Sequence, residues 1–303
     1  MNTQLICSFL SQNNIPFLQN EPMSRHTSFK VGGNAAFLVT AKNSEQVKAV
    51  YTFCEQNKIP LTVLGKGSNV LVSDSGIEGI VLKLSETPEI KILSDNTVCC
   101  NAGMSLTALC LAAAENGLSG LEFAYGIPGS VGGAVFMNAG AYGGEIKDII
   151  LSATALVNGE IKEFYADDMA LSYRTSIFKT NGDIILSAKF KLIPDNKENI
   201  KARMSDFLER RKSKQPLEFP SAGSTFKRPE GYFAGALIEE NGLKGFAIGG
   251  AMVSEKHAGF VINKSCATSK DIKLLIKHIQ DTVLKNNGIM LEREVIYLGQ
   301  EEN

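Results

Sequence analysis

The sequence predicts an α+β protein of more than one domain whose C-terminal part is α/β, and three observations carry that prediction. At 303 residues the chain exceeds what one hydrophobic core ordinarily serves, which points to about two or three domains. Segments with strand-like and helix-like spacing of apolar residues are mixed along its whole length. The polar run Asp195-Asn196-Lys197-Glu198-Asn199 separates an apolar strand from an amphipathic helix and makes residue 195 the candidate boundary.

Taken in order, Leu5, Ile6, Phe9 and Leu10 share one face of a short helix within residues 1–14, followed by an irregular stretch through Glu21-Pro22. A strand (36–40), a helix (44–57, with Val47, Val50, Tyr51 and Cys54 aligned) and a strand (61–64) form a β-α-β unit. From 69 to 93, short β-branched runs broken by Ser75-Gly76 and Glu78-Gly79 read as several strands. A helix over 105–116 closes at Gly117, the residue type a C-terminal cap prefers. Glycine is then dense from Gly117 to Gly144, where the backbone must turn sharply or approach something closely.

Asn158-Gly159 between two β-like runs (150–157 and 160–165) signals a hairpin. A strand over 183–193 ends at Pro194, and an amphipathic helix reaches Arg211. Beyond it come a loop (221–229), a helix (231–241), strands near Ala247 and Phe260, a helix (269–287) and a strand (290–298), an alternation that makes this part α/β. No internal repeat or low-complexity tract interrupts the chain.

Composition narrows the function classes. Hydrophobic residues at 44% and charged residues at 21% are globular values, so no long disordered stretch is expected. A net charge of −1 supplies no global positive field, which argues against nucleic acid as a partner. The N-terminus lacks a basic region followed by an apolar run, and no segment reaches the roughly 20 apolar residues of a membrane span, so a cytoplasmic protein without membrane insertion is expected. Cys7, Cys54, Cys99, Cys100, Cys110 and Cys266 include no C-x-x-C pair, and with three histidines they assemble no metal-binding spacing. Buried reduced thiols are the expectation, with Cys99 and Cys100 on opposite faces of a strand.

Gly65-Lys66-Gly67-Ser68-Asn69 directly follows a strand and offers backbone N–H groups, a hydroxyl and an amide to phosphate oxygens. Taken alone, a tight turn between strands is the plainer reading. The loop lacks the third glycine of G-x-G-x-x-G, and no G-x-x-x-x-G-K-[ST] occurs, so neither familiar nucleotide fingerprint is present. The second cluster, Gly126-Ile127-Pro128-Gly129-Ser130-Val131-Gly132-Gly133, continues into Asn138-Ala139-Gly140-Ala141-Tyr142-Gly143-Gly144, more glycine than one turn requires.

With Arg25-His26-Thr27-Ser28-Phe29 before them, these loops resemble the flavin half of the UDP-N-acetylenolpyruvoylglucosamine reductases (MurB), within the vanillyl-alcohol-oxidase or PCMH type of FAD-binding fold. Tyr173-Arg174-Thr175-Ser176-Ile177-Phe178-Lys179, Ala222-Gly223-Ser224-Thr225-Phe226-Lys227, Ser254-Glu255-Lys256-His257-Ala258 and Leu291-Glu292-Arg293-Glu294-Val295 resemble its catalytic half, in order, over residues 24 to 299. The resemblance implies an N-terminal helix and lead-in (1–24) and an FAD-binding domain of two α+β subdomains (25–194, divided into about 25–66 and 67–194). A C-terminal α/β substrate-binding domain (195–303) follows.

It implies non-covalent FAD, NADPH as hydride donor, and reduction of the enolpyruvyl ether of UDP-N-acetylglucosamine to UDP-N-acetylmuramate, by a monomer or weak homo-oligomer. The flavin contacts it implies are Gly65, Lys66, Gly67, Ser68, Asn69, Val70, Ile127, Pro128, Gly129, Ser130, Gly133 and Gly140. Arg174 and Glu294 would bind and polarise the substrate carboxylate, with Glu294 protonated so that it can donate, and Ser224 would be the proton donor. A serine is a poor acid alone, and Lys227 is the nearest cation in sequence to assist it.

Tyr142, Lys214, Lys227, Arg228 and His257 would hold the UDP-sugar, although many members have asparagine where Arg228 stands. One branch of the family carries an inserted tyrosine-bearing loop after the Arg174 region. This chain passes through 183–193 without it, so its phosphate clamp must be built differently. His278 lies mid-helix and reads as structural. Outside the resemblance, Ser224 reads as a turn residue, Arg174 as a surface ion-pair partner and Glu294 as a solvated strand residue. The rival functions are another FAD enzyme of the same fold acting on an alcohol or hydroxyacid, and a nucleotide-binding module without catalysis.

Overall fold

A computed structural model describes residues 2–85 and 87–300; Met1, Glu86 and residues 301–303, which fall in the predicted segments 1–24, 25–194 and 195–303, lie outside the described residues. The chain divides into two compact units. The first comprises Met1–Leu18, Leu38–Lys66 and Ile80–Arg211; the second comprises Gln19–Phe37, Gly67–Gly79 and Lys212–Asn303.

In the first unit, α1 (Thr3–Gln12) starts where Asn2 Oδ1 accepts the N–H of Leu5, and α2 (Ser44–Asn57) starts where Asn43 Oδ1 accepts that of Gln46. Phe9 of α1 stacks on Phe53 of α2 at 3.9 Å. The strands of the predicted β-α-β unit, Asn34–Ala41 and Leu61–Val63, are not neighbours: Ile77–Leu84 lies between them and pairs parallel with the second.

The main element of this unit is a five-stranded antiparallel sheet in the order Glu160–Tyr165, Ile150–Val157, Ile184–Lys191, Thr97–Asn101, Ile90–Ile92. Its hairpin turns at Asn158 and Gly159, both left-handed at φ 50° and 82°, the backbone a two-residue turn between twisted strands needs. Cys100 faces the core and Cys99 is half-buried on the other side, and burial pushes the Cys100 thiol up to about 12. α3 (Leu106–Glu115) and α4 (Val131–Phe136) contribute Leu106, Leu109, Val131 and Val135 to the core, with Phe190 from the sheet and Phe178 from α5 (Ile177–Asn181).

The next helix, α6 (Lys197–Lys214), begins inside the polar run and buries Ile200 and Met204 in the same core. Its Arg203 donates to Glu122 Oε1 at 2.7 Å and pairs with Asp195. Glu122 is only 7% exposed, and a buried carboxylate needs such a cation partner. The compact division therefore falls after Arg211 rather than at residue 195.

The second unit contains a three-stranded sheet (Ala247–Ile248, Ala251–Val253, Val261–Asn263), α7 (Ala234–Glu240), α8 (Ser269–Asn287) and a parallel pair of Val70–Val72 with Ile296–Leu298. α8 opens on a capping box between Thr268 and Asp271, and Asp74 accepts the N–H groups of Ser269 and Lys270 at 2.8 and 3.0 Å. Phe29, Val31 and Leu71 are buried in its core with Phe226, Ile238, Ile276 and Val295. Ser28 Oγ donates to Ser221 O at 2.6 Å and Asn263 Nδ2 to Phe29 O at 3.1 Å. Division by packing thus differs from division along the chain, because two segments from the predicted FAD-binding region fold with the C-terminal part. Among the described residues no helix is long and apolar enough to cross a membrane.

Candidate functional site

Within the first unit, Gly65 at the start of the first glycine loop meets the second loop. A Cβ at Gly65 would lie 2.5 Å from Ser130 Oγ, so the first loop approaches the second too closely for a side chain. Ser130 caps α4, with Oγ accepting the N–H of Gly133 at 3.2 Å. Several glycines of the cluster are explained by the chain itself: a Cβ at Gly132 would meet Ala102 at 2.9 Å, at Gly140 the Glu145 side chain at 2.7 Å, and at Gly144 Phe123 at 2.7 Å. Gly129 is different. A Cβ there would touch Ile127 at 3.9 Å and nothing nearer, and its φ is not left-handed, so no internal contact requires glycine. Ile127, half-buried, and Pro128, exposed, precede it.

Arg174 occupies a tight turn in which Ser172 and Thr175 exchange backbone hydrogen bonds at 3.2 and 3.1 Å. Its φ is +56°, a left-handed conformation that a non-glycine residue holds only when its surroundings enforce it. Nη2 donates to Gly140 O at 3.1 Å, the guanidinium lies 5.3 Å from the Tyr173 ring, and Lys179 Nζ donates to Arg174 O at 3.1 Å. Tyr142, also left-handed at φ 52°, stacks on Phe207 of α6 at 4.8 Å. Arg211 was not singled out by sequence reasoning. Burial lowers its pKa, the Tyr142 hydroxyl opposes that, and its Cδ would lie 3.5 Å from a Cβ at Gly126.

In the second unit the structure brings Ser224, Glu294 and Asn69 together through the main chain. Glu294 N–H donates to Thr225 O at 2.9 Å and Lys227 N–H to Glu292 O at 2.8 Å, while Phe226 and Arg293 form an isolated antiparallel bridge. Of the predicted strand over 290–298, Ile296–Leu298 is paired as a strand. Asn69 Nδ2 donates to Glu294 O at 3.3 Å, and Ile296 N–H to Asn69 O at 3.0 Å. Burial varies along these segments: Ser224 is exposed, Thr225 fully buried, Leu291 and Val295 buried, Glu294 half-buried. Thr225 was also missed; its Oγ1 accepts the N–H of Val261 at 3.0 Å. Gly67 is left-handed at φ +64°, and a Cβ there would stand 2.0 Å from His26 O. Ser68 and Val70 flank Asn69, all half-buried, as is Lys66 at the end of the first unit's loop.

The remaining residues differ in setting. Lys227 Nζ is paired with Glu292, whose side chain is largely exposed. Arg228 lies 4.0 Å over the Phe233 ring and its Nε donates to Tyr232 O at 3.3 Å. Lys214 is exposed at the end of α6. His257 Nδ1 accepts the N–H of Gly259 at 3.1 Å, which places the neutral ring's proton on Nε2. Burial pushes this imidazole below its ordinary range, and a Cβ at Gly259 would lie 3.0 Å from it. His278 stacks on Phe246 at 4.4 Å, a packing role. Among the described residues no group of His, Cys, Asp and Glu is placed to hold a metal ion.

Comparison with known proteins agrees over both parts of the chain. Residues 215–298 match the family model described as UDP-N-acetylenolpyruvoylglucosamine reductase, C-terminal domain, and residues 35–164 match an FAD binding domain. The chain is 50% identical over 289 residues to the UDP-N-acetylenolpyruvoylglucosamine reductase of Lachnoclostridium phytofermentans, covering 94% of this chain and 93% of that one. With the Clostridium beijerinckii protein of that name it shares 52% over 280 residues, covering 92% of each. Among solved structures, the UDP-N-acetylenolpyruvylglucosamine reductase (MurB) of Thermus caldophilus superposes with a TM-score of 0.80 at 34% identity, over 94% of this chain and 98% of that one.

Proposed function

The chain belongs to the UDP-N-acetylenolpyruvoylglucosamine reductase family, and on that premise we propose how its own residues carry the reaction. It is an FAD-dependent oxidoreductase of peptidoglycan precursor synthesis, reducing UDP-N-acetyl-3-O-(1-carboxyvinyl)-glucosamine to UDP-N-acetylmuramate. NADPH is the hydride donor, and the cytoplasm is the compartment where that donor and a UDP-sugar are met.

The residues present fit FAD. Gly129 is a glycine that no internal contact demands, at the centre of a loop where a side chain would stand in the way of a ligand. Gly65 to Val70, Ile127 to Ser130, Gly133 and Gly140 are the groups that would hold it, by main-chain contacts suited to a diphosphate and without a covalent link. When bound, the flavin supplies hydride to the distal carbon of the enolpyruvyl group.

The protein's own residues do the rest. Arg174 presents a fixed fork of donors that matches the substrate carboxylate and opposes the negative charge developing there. Glu294, protonated in the complex, donates to the same carboxylate. Ser224 Oγ gives the proton that completes the carbon next to the carboxylate, helped by a neighbouring cation or hydrogen-bond chain. Tyr142, Lys214, Lys227, Arg228 and His257 bind the UDP-sugar through ring, ammonium, guanidinium and imidazole groups.

The observation that carries this reading is the main-chain ladder that sets Ser224's segment, Glu294 and Asn69 of the first glycine loop side by side. The test is spectroscopic. The purified protein should carry flavin absorbance that NADPH bleaches and the enolpyruvyl substrate restores. Bleaching by an alcohol or hydroxyacid would favour the oxidase reading, and absence of flavin the non-catalytic one.

A further inference from the structure

We propose that Asn138 is the positioning residue that holds the Arg174 turn in register with the second glycine cluster; the proposal rests on the reading of Arg174 as the carboxylate-binding group. Asn138 is fully buried, and its backbone is left-handed at φ 42°. Its side-chain amide is completely used: Oδ1 accepts the N–H of Lys147 at 2.9 Å, and the two Nδ2 hydrogens go to Glu145 Oε2 at 2.7 Å and to Ser172 O at 3.1 Å. One donor facing Oδ1 and two acceptors facing Nδ2 leave a single amide orientation. Neither a carboxylate nor an apolar group can replace it.

What this amide holds is the entrance to the Arg174 turn. Ser172 is the residue that closes the turn with Thr175, so the bond from Asn138 fixes one end of it. The other end is fixed by Ser176, whose Oγ donates to Phe136 O at 2.7 Å. Phe136 ends α4, the helix that Ser130 and Gly133 begin. The guanidinium itself rests on Gly140 O, two residues beyond Asn138. The left-handed strain at Arg174 is thus maintained from residues 136, 138 and 140, and of these three bonds the one from Asn138 is donated from the glycine-cluster side. Without it the Ser172 carbonyl keeps only the Thr175 N–H inside the turn and loses its tie to the glycine cluster, so the turn can shift as a unit and move the guanidinium.

The experiment separates fold from positioning. Asn138→Asp sets a carboxylate against Glu145 and is expected to destabilise the protein. The double variant Asn138→Asp/Glu145→Gln restores a donor–acceptor pair between residues 138 and 145 but leaves residue 138 with no donor for Ser172 O. The double variant should therefore keep its flavin and be bleached by NADPH at the normal rate with unchanged KM for NADPH. Restoration of the absorbance by the enolpyruvyl substrate should slow about 10²-fold, the scale of an ångström-size misplacement. Adding both changes to Arg174→Lys should slow it little further, because groups that act as a unit are not additive.

A double variant that restores absorbance at the wild-type rate overturns the proposal, as does equal loss of both half-reactions or full additivity with Arg174→Lys. If Arg174→Lys itself turns over normally, the premise about Arg174 fails and the proposal with it. A slow Arg174→Lys beside a normal double variant rejects only the role of Asn138.

Discussion

Glu294 donates its backbone N–H to the carbonyl oxygen of Thr225 at 2.9 Å, so the acidic residue is registered to the residue directly after Ser224 by main chain alone. Neither side chain takes part in that bond. Their positions survive side-chain substitution, and the chemistry of each can be removed without dismantling the ladder.

Ser224→Ala should accordingly split the catalytic cycle. Ser224 is exposed, so stability should stay within about 0.5 kcal/mol of wild type. Bleaching of the flavin by NADPH should persist, while its recovery on adding the enolpyruvyl substrate falls by about 10² to 10⁴. Rapid-mixing absorbance measures each step separately, and equal loss of both would remove Ser224 as proton donor.

Thr225→Val tests the buried neighbour of Ser224. The substitution keeps the shape and deletes the acceptor for the Val261 N–H in a fully buried setting, which should cost about 1 to 3 kcal/mol in urea unfolding. Thr225→Ser, which retains the hydroxyl, should lose less. Equal stability of the valine variant and wild type would mean that this bond holds nothing.

Two glycines of the loops should behave in opposite ways. Gly67→Ala meets His26 O at 2.0 Å with a left-handed backbone, and stability should drop by more than about 1 kcal/mol even in flavin-free protein. Gly129→Ala meets nothing nearer than 3.9 Å, so flavin-free stability should change by less than about 0.5 kcal/mol while retention of flavin through gel filtration falls. Retention at the wild-type level in Gly129→Ala would remove that residue from the cofactor contacts.

The imidazole of His257 makes stability fall in mild acid. Burial, aided by the nearby Lys244 charge, lowers its pKa in the folded state, so the unfolded chain takes up the proton more readily. Its contribution is complete above the unfolded value of about 6.5 and is lost as pH falls below it. Thermal unfolding between about pH 7.5 and pH 5.5 should show a falling Tm, shallower in His257→Gln. Parallel curves for the two proteins would assign the slope to other groups.

Local signals carried much of the fold. α2 and α8 are amphipathic, bracketed by Asn43 and Thr268 at one end, and α8 by Gly288 at the other, so spacing and caps agree. The Asn158-Gly159 turn was legible because left-handed backbone selects those residue types. α4 was not, since Gly132 and Gly133 are poor helix formers, and close packing against Ala102 rather than helix propensity selects Gly132. Nor could periodicity show that Phe29 and Leu71 are buried with Val295, a contact made across most of the chain. Arg174, Ser224 and Glu294 were reached through ordered motifs. The bond from Asn138 to Ser172 was hidden, because an asparagine amid glycines looks like one more turn residue.

The parallel pairing of Val70–Val72 with Ile296–Leu298 has a consequence for biogenesis. Asn69 and Glu294, bonded across this pair, are 225 residues apart. A strand synthesised first therefore waits as a bare edge until the segment 225 residues later has been made, a high-contact-order closure that folds slowly and exposes that edge to misassembly. Trimming the chain before Ile296 would strip residues 70–72 of their partner, and the damage would be felt at a segment made long before the cut.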